Sequence, residues 1–246
     1  MIRIAAFGDC HFAADATGTL RPELAHVDQT ADVLLLAGDL TRVGTPEEAG
    51  ALAGELTDLS LPIAAVLGNH DFQCDRETEV ADVLREAGVV VLEGDGVVLE
   101  TPAGTVGVAG VKGFGTGFPG AMCSDFGERE MKAFVRHSHD AAERLREALG
   151  HVQVADARVA LTHYAPVADT LRGERLEIFP FLGSYHLAEA IDAAGADLAV
   201  HGHAHAGAEK GVTPGGVQVR NVAQTVLGAA YRVYCLPDQG RLDTCG

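Results

Sequence analysis

The chain has 246 residues, of which 47% are hydrophobic and 22% charged, a balance that excludes intrinsic disorder and permits a sizeable core. Its formal net charge is −17, because 18 Lys and Arg residues stand against 35 Asp and Glu residues. An evenly spread charge of that sign would repel nucleic acid and anionic lipid, so we expect neither extended nucleic acid nor a membrane as a partner. A small anionic substrate stays compatible where a bound cation reverses the sign locally.

The N-terminal residues lack the basic segment, long apolar segment and cleavage site of a signal peptide, and the chain has no run of 18 apolar residues. Five scattered cysteines without a CxxC pair favour reduced thiols over a disulfide framework or a thiolate zinc site. We therefore expect a cytoplasmic protein. The length favours one domain spanning residues 1–246 and leaves the oligomeric state open.

Strands and helices alternate over the first hundred residues. Three apolar runs closed by glycine are typical of buried strands in a parallel or mixed sheet, and they cover Ile2–Phe7, residues 32–37 and residues 62–67. Thr45, followed by Pro46 and two glutamates, predicts a helix that runs to about residue 59. A second helix is predicted over residues 77–87, before Gly88.

The rest of the chain predicts further strands and helices, and the strands over residues 89–92, 97–100 and 105–111 are expected to form a second sheet. Strands are expected over residues 89–92, 97–100, 105–111, 158–161, 197–200, 217–222 and 231–236. Helical spacing of apolar residues covers 128–149, and another helix is expected over 187–194. Residues 112–127, rich in Gly and Phe, are predicted to form a loop that shapes substrate access. One domain with two sheets and outer helices is the simplest account.

Polar residues of one kind follow five of these strands. They are Asp9, His11, Asp39, Asn69, His70, Asp71, His163, His203 and His205. Because the carboxyl ends of strands in an open α/β sheet converge on one crevice, these side chains should meet in space. Neither Lys nor Arg accompanies them, so these acids and imidazoles would repel one another when ionised. A bound cation is therefore the expected partner of the group.

The ligand types indicate which cations fit. Carboxylates, a carboxamide and neutral imidazoles suit Mn, Fe or Zn, and the set is too large for one tetrahedral ion. Two ions about 3.5–4 Å apart that share one carboxylate would give every side chain of the set a metal to bind. Taken singly, Asp9 could cap a turn and Asp39 could form an Asx turn. The whole group favours ligands, because turn chemistry does not require His beside each acid.

In this order the motifs resemble those of the calcineurin-like metallophosphoesterases. The matching blocks are Asp9-x-His11, Gly38-Asp39, Gly68-Asn69-His70-Asp71, His163 and Gly202-His203-x-His205. The resemblance implies an α/β fold, a four-layer αββα sandwich of two mixed β-sheets flanked by helices, which hydrolyses phosphate esters at a two-metal centre. It implies that one ion is held by Asp9, His11 and His205, the other by Asn69, His163 and His203, with Asp39 bridging. His70 would face the substrate, oriented by Asp71.

We therefore predict a dinuclear metal-dependent phosphoesterase, with a metal-activated hydroxide as the nucleophile and His70 as acid or charge stabiliser. Mn or Fe are the favoured ions, with Zn, Ni and Mg as alternatives. A phosphodiester is favoured over a phosphomonoester as the small substrate, because the sequence shows no basic clamp for a dianion. The alternative is a non-catalytic metal-binding scaffold or interaction protein of the same fold. The presence of His70 argues against that alternative.

Other polar residues receive structural interpretations. His201 falls outside the family pattern and is expected to pack behind the site. Cys10 lies between two candidate ligands, and strand alternation would turn it away from the metals as a buried filler. His137 and His139 are expected on a solvated helix face, and His186 in a structural position.

Overall fold

The computed structural model describes residues 1–236, which form two large β-sheets and a two-stranded hairpin. The strands are β1 (Ile2–Phe7), β2 (Val33–Ala37), β3 (Ile63–Val66), β4 (Val90–Leu92), β5 (Asp95–Thr101), β6 (Gly104–Val111), β7 (Gly117–Phe118), β8 (Ala121–Met122), β9 (Ala157–Thr162), β10 (Leu198–His201), β11 (Lys210–Val212), β12 (Gln218–Asn221) and β13 (Arg232–Leu236). The α-helices are α1 (Arg21–Leu24), α2 (Val27–Thr30), α3 (Pro46–Leu56), α4 (Glu77–Glu86), α5 (Arg129–His151), α6 (Phe179–Leu182), α7 (Tyr185–Ala194) and α8 (Gln224–Leu227). Short 3-10 turns cover His70–Phe72, Ala168–Leu171 and Leu176–Ile178.

Both large sheets are mixed. The first has the strand order β13-β1-β2-β3-β4, in which β1 to β4 are parallel and β13 runs antiparallel to β1. The second has the order β11-β12-β10-β9-β6-β5, with four parallel inner strands and an antiparallel strand at each edge. Strands covered on both faces need apolar residues throughout, which accounts for the unbroken apolar runs.

Alternating residues of the first two strands face opposite layers. Ile4 and Leu35 lie in a buried cluster between the sheets, where they join residues such as Val159 from the second sheet. Phe7 and Leu34 point the other way, into a cluster that includes residues of α3 and α4. Helices α5 and α7 cover the outer face of the second sheet. The layers are therefore helix, sheet, sheet and helix, as the resemblance implied.

The start of α3 has a complete capping box. Thr45 Oγ1 accepts the Glu48 backbone N–H at 3.4 Å, and the Glu48 carboxylate accepts the backbone N–H groups of Thr45 and Val43 at 3.4 and 3.0 Å. Pro46 occupies the first turn, where its missing N–H costs no hydrogen bond. The predicted helix start is confirmed, and the box fixes the loop between β2 and α3 that borders the candidate site.

Two predicted elements differ from the structure. Strand β4 was expected in the second sheet, but it is the edge of the first sheet and pairs in parallel with β3. The reason is that α4 forms a crossover between β3 and β4, which returns the chain to the same sheet. Residues 112–127 were expected to be a loop, yet they contain the hairpin of β7 and β8.

Cys10, Cys74 and Cys123 are free thiols, whereas Cys235 is disulfide-bonded. The expectation of reduced thiols is therefore wrong at Cys235, and Cys245 lies outside the described residues. Within residues 1–236, no helix is both long enough and apolar enough to cross a membrane. A cytoplasmic location remains a prediction.

Candidate metal centre

The carboxyl ends of strands from both sheets bring the candidate ligands together. Two groups of His and Asp side chains each have their ligand atoms within 4.8 Å of one another. The first group is Asp9, His11, Asp39 and His205, and the second is Asp39, His163 and His203. Asp39 belongs to both groups, so its carboxylate lies between them.

Close contacts define the first group. His205 Nε2 lies 2.8 Å from Asp9 Oδ1, and His11 Nε2 lies 3.5 Å from His205 Nε2 and 3.9 Å from Asp39 Oδ2. The Asp9 carboxylate also accepts the backbone N–H of His203 at 3.0 Å, which ties the loop after β1 to the loop after β10. Burial raises the pKa of Asp9 to about 6, and the hydrogen bond that His205 donates to the Asp9 carboxylate raises the pKa of His205.

His163 connects the second group to Asn69. Its Nε2 atom lies 3.0 Å from Asn69 Oδ1 and 3.3 Å from Asp39 Oδ1, while its Nδ1 atom lies 2.8 Å from the Ala37 carbonyl oxygen. Because a carbonyl only accepts hydrogen bonds, Nδ1 carries the proton and Nε2 keeps its lone pair toward the centre. Burial lowers the pKa of His163 well below its ordinary value, so the ring is neutral.

A second backbone carbonyl orients His203. His203 Nε2 lies 3.0 Å from the Phe181 carbonyl oxygen and donates to it, which leaves Nδ1 as the nitrogen free to bind a cation. The His163 and His203 rings lie 4.7 Å apart between centroids. Burial lowers the pKa of His203 to about 3, so this ring also stays neutral.

His70 lies beside the centre without belonging to either group. Its backbone N–H donates to Asp39 Oδ1 at 2.8 Å, and its Nδ1 atom lies 2.8 Å from the Arg42 carbonyl oxygen. By the same donor argument, Nδ1 carries a proton and Nε2 is the nitrogen that can gain or lose one. That Nε2 atom lies 4.0 Å from Asp39 Oδ2, and the side chain is 40% exposed.

Asp71 has a different role from the one predicted. Its carboxylate does not orient the His70 ring, whose Nδ1 is held by Arg42. Instead the buried carboxylate accepts the backbone N–H groups of Leu40, Thr41 and Gly68 at 3.2, 2.7 and 2.7 Å, and the Thr41 hydroxyl at 2.5 Å. Asp71 therefore joins the loops after β2 and β3, and burial raises its pKa to about 6.

The backbone is strained where the ligands lie. Four of the five non-glycine residues with positive φ in residues 1–236 are candidate ligands: Asp9 at 58°, His11 at 42°, Asp39 at 49° and His203 at 70°. Such conformations cost free energy and persist where surrounding structure enforces them, as at functional sites. The hydrogen bonds from Asp9 N to Gly38 O, at 2.9 Å, and from His11 N to Asp39 O, at 3.0 Å, hold the first loop in place.

Two glycines are required by close approach to the carboxylates. A Cβ atom at Gly68 would lie 2.2 Å from Asp39 Oδ1, and one at Gly202 would lie 2.3 Å from Asp9 Oδ2. No side chain fits at either position without displacing a candidate ligand. The glycine in each of these motifs therefore serves the site directly.

The residues given structural interpretations lie as expected, except that Cys10, expected to be buried, is only half-buried. Both ring nitrogens of His201 are engaged, Nδ1 with the Gly202 carbonyl oxygen at 2.7 Å and Nε2 with Thr170 Oγ1 at 2.8 Å. Cys10 Sγ donates to the Leu40 carbonyl oxygen at 3.2 Å, and burial raises the pKa of its thiol. The remaining histidines conform too: His137 and His139 are exposed on α5, and His186 is buried.

The sequence analysis missed a buried cation near the centre. Lys112 is 9% exposed, and its Nζ atom lies 4.9, 5.2 and 5.3 Å from the ring centroids of Phe72, Tyr164 and Phe114. Tyr164 follows His163 directly and packs on the His203 ring at 4.4 Å. A signal was available, because Lys112 follows β6 directly and so also stands at the carboxyl end of a strand.

The donor set fits two divalent cations. Neutral imidazole nitrogens, a carboxamide oxygen and carboxylate oxygens converge, and the Asp39 carboxylate is shared between the two groups. Imidazole and oxygen ligands of this kind suit first-row transition metals. The backbone carbonyls at His163 and His203 fix which ring nitrogen faces inward, as the outer partners of metal-ligating histidines do.

Two mixed sheets between helices, and a donor set in which two groups share one carboxylate, are the features expected of a class of metal-dependent hydrolases. A sequence model for this class, described as calcineurin-like phosphoesterase, matches residues 2–207. The chain therefore belongs to the calcineurin-like phosphoesterase family.

Curated relatives match a shorter region. The chain is 34% identical over 101 residues to an uncharacterized metallophosphoesterase of Bacillus subtilis (strain 168), which covers 38% of this chain and 37% of that protein. It is 35% identical over 89 residues to a protein named "probable cyclic nucleotide phosphodiesterase" of Synechococcus sp. (strain ATCC 27144), covering 32% of this chain and 34% of that one. The matched regions thus span about a third of each relative.

Among solved structures, the fold is similar to that of a phosphopantetheinyl hydrolase from Mycobacterium tuberculosis. The TM-score is 0.67 over 98% of both chains, with 18% sequence identity. At that identity the likeness concerns the fold alone.

Proposed function

We propose that this chain hydrolyses a small phosphodiester at a centre of two divalent cations. The proposed ligands are Asp9, His11 and His205 for one ion, Asn69, His163 and His203 for the other, and Asp39 for both. The observation that carries the proposal is the position of Asp39: its Oδ1 faces His163 at 3.3 Å, and its Oδ2 faces His11 at 3.9 Å. One buried carboxylate thus offers a separate oxygen to each group.

Mn or Fe are the ions we propose, with Zn, Ni and Mg as alternatives. Bound there, two such ions would supply a nucleophilic water of lowered pKa and neutralise charge on the phosphoryl oxygens. The protein's part is to hold the ligands at fixed positions. It does so through the strained loops and the two carbonyl contacts that orient His163 and His203.

His70 is the proposed proton donor to the leaving oxygen. The Arg42 carbonyl holds Nδ1, so Nε2 faces the Asp39 carboxylate, and the side chain is partly exposed. As an imidazolium, the ring can stabilise negative charge on the phosphoryl group or give its Nε2 proton to the leaving alkoxide. Positioned acid–base groups of this kind contribute roughly 10²–10⁴-fold to rate.

Charge supports a diester over a monoester. A monoester dianion brings one more negative charge to a chain whose net charge is −17. The buried cation, Lys112, is enclosed by three aromatic rings, so it does not stand as an exposed clamp for a dianion. The name of the Synechococcus relative points in the same direction, since it describes a cyclic phosphodiester as substrate.

The rival function is a metal-binding scaffold of the same fold without turnover. A scaffold would need the seven ligands alone. His70 lies outside both groups, is partly exposed, and has its ring fixed by a backbone carbonyl. That arrangement favours catalysis.

The test is metal-dependent hydrolysis by chelator-stripped protein. Bis(p-nitrophenyl) phosphate and p-nitrophenyl phosphate are offered with Mn, Fe, Zn, Ni or Mg added back one at a time, and stripped protein without metal is the control. We expect turnover to return with Mn or Fe and the diester to be preferred. Bound metal without turnover of either ester would favour the scaffold, and a preferred monoester would contradict the diester assignment.

A further inference from the structure

Exposed apolar side chains are concentrated in two segments of the chain, one of which contacts the candidate centre through Phe181. Of nine large apolar side chains exposed within residues 1–236, six fall in two segments, residues 117–131 and 176–182. We call these six the apolar rim: Met122, Phe126, Met131, Leu176, Ile178 and Phe181. Single exposed apolar residues need no explanation, whereas a contiguous exposed apolar patch marks a binding site.

The two segments pack against each other and so form one surface. The backbone N–H groups of Thr116 and Gly117 donate to the Gly183 carbonyl oxygen at 3.0 and 2.8 Å. Nearby, the rings of Phe118 and Phe179 lie 6.3 Å apart between centroids. The β7–β8 hairpin therefore rests on α6, and the two segments adjoin each other there.

Phe181 connects the apolar rim to the centre. Its carbonyl oxygen holds the candidate ligand His203 at 3.0 Å, while its side chain is 58% exposed. The Phe181 ring lies 6.4 Å from that of Phe134 between centroids. Phe181 thus contacts a candidate ligand through its backbone and is exposed to solvent through its side chain. The apolar rim therefore adjoins the candidate centre at Phe181.

The charge of the two segments is unfavourable to an anionic membrane. Residues 117–131 and 176–182 together carry one Arg and four Asp or Glu, a net charge of −3, on a chain whose net charge is −17. An uncharged apolar arm meets no electrostatic repulsion from these acids. An anionic bilayer, which needs a basic surface to attract it, is not favoured by such a balance.

We propose that the apolar rim binds an apolar arm of the substrate, so that the substrate is an amphiphilic phosphodiester. The phosphoryl group would lie at the metal centre, and an alkyl or aryl arm would lie across Phe181 and Leu176. This inference rests on the proposed phosphodiesterase activity. It adds a substrate class that the metal ligands alone do not determine.

The experiment uses p-nitrophenyl alkyl phosphodiesters with methyl, butyl or octyl arms. The leaving group is the same in all three, and each is kept below its micelle concentration with metal-loaded enzyme. Because burial of each methylene favours binding, we expect kcat/KM to rise by about 10-fold or more from the methyl to the octyl ester. The rise should come mainly from KM.

A double variant and a matched control locate the effect. Leu176→Ser with Phe181→Ser should reduce the methyl-to-octyl ratio to within about 3-fold, because the contact area would be lost. Val154→Ser is the control, since Val154 is 86% exposed and lies outside the rim. It should keep the full ratio. Leu176→Ser alone serves as a second rim variant, because Leu176 is 59% exposed, and it should lower the ratio even if the double variant does not fold.

Each outcome decides the inference. Turnover of all three esters at equal kcat/KM would overturn it while leaving the phosphodiesterase proposal intact. Turnover of none would overturn both. A length dependence that survives in both rim variants would place the arm elsewhere. Octyl turnover that rises only with phosphatidylcholine vesicles, with enzyme co-sedimenting, would replace the substrate arm with a membrane surface as the rim's occupant.

Discussion

The two halves of the candidate centre differ in burial and in how their charge is managed. In one half, the side chains of His11 and His205 are 24% and 42% exposed, and Asp9 supplies a carboxylate. In the other, His163 has no exposed side-chain surface, and burial lowers the pKa values of His163 and His203 so that both rings are neutral. The buried half thus offers neutral imidazoles to a cation, whereas the histidines of the open half are accessible to solvent.

Asp39 is the residue that the two halves share, and its removal should have the largest effect. We expect Asp39→Ala to lose both ions and to lower kcat/KM by about 10³-fold. That is the upper end of the range for the loss of one central electrostatic contact. Metal analysis and diester hydrolysis check this. Asp82→Ala is the control, because Asp82 is an exposed acid on α4 that pairs with Arg85. Two retained ions in Asp39→Ala would contradict the shared-ligand assignment.

His70 lies next to both halves but is assigned to neither. We expect His70→Ala to keep the metal content of the unmodified protein and to lower kcat by about 10²-fold, because a positioned acid is lost. Metal analysis and single-substrate kinetics measure the two quantities separately. His139→Ala, which changes an exposed histidine of α5, is the control. Full activity in His70→Ala would remove this residue from the mechanism.

The difference in burial predicts two phases of metal loss. A chelator should remove the ion of the open half quickly and that of the buried half slowly, because His163 is shielded from solvent. His11→Ala should lack the fast phase and His163→Ala the slow one. Stopped-flow mixing with a coloured chelator follows both. A single phase in the unmodified protein would mean that the halves act as one unit.

The candidate ligands could be predicted from sequence because each signal is local. A short apolar run that ends in glycine and then Asp, Asn or His identifies a strand end and its side chain together, as at Asp39 and Asn69. The edge strand β4 could not be assigned to a sheet in this way. Its three apolar residues suit either sheet, and only the crossover through α4 decides between them.

The partner of the His70 ring was equally beyond a local pattern. Asp71 is its neighbour in sequence, yet the turn points the two side chains in different directions. The atom that holds the ring is a backbone carbonyl, that of Arg42, which lies 28 residues away and carries no side-chain signal. Lys112 was missed because only residue types that bind cations were sought at the strand ends, and a lysine is itself a cation.

Asp71 should matter for stability more than for chemistry. Asp71→Ala would leave the backbone N–H groups of Leu40, Thr41 and Gly68 without their acceptor, at about 1–3 kcal/mol each where they stay buried. We expect the free energy of unfolding in urea to fall by roughly 3 kcal/mol or more. Asp71→Asn keeps one acceptor oxygen and should lose less. Unchanged stability with a shifted pH profile of kcat would restore the role first predicted, that of orienting His70.

Cys10 is the place where the smallest effect is expected, although it stands between two candidate ligands. Its Sγ atom turns away from the centre, donates to the Leu40 carbonyl oxygen and packs against the cluster beneath the helices. Cys10→Ala should therefore keep both ions, keep kcat/KM within about 2-fold and cost roughly 1 kcal/mol of stability, as a typical small truncation does. Metal analysis, diester kinetics and urea unfolding measure these. A loss of activity on the scale of Asp39→Ala would indicate instead that Cys10 is the nucleophile. The two ions would then not need to supply a nucleophilic water, and the roles of both halves would have to be assigned again.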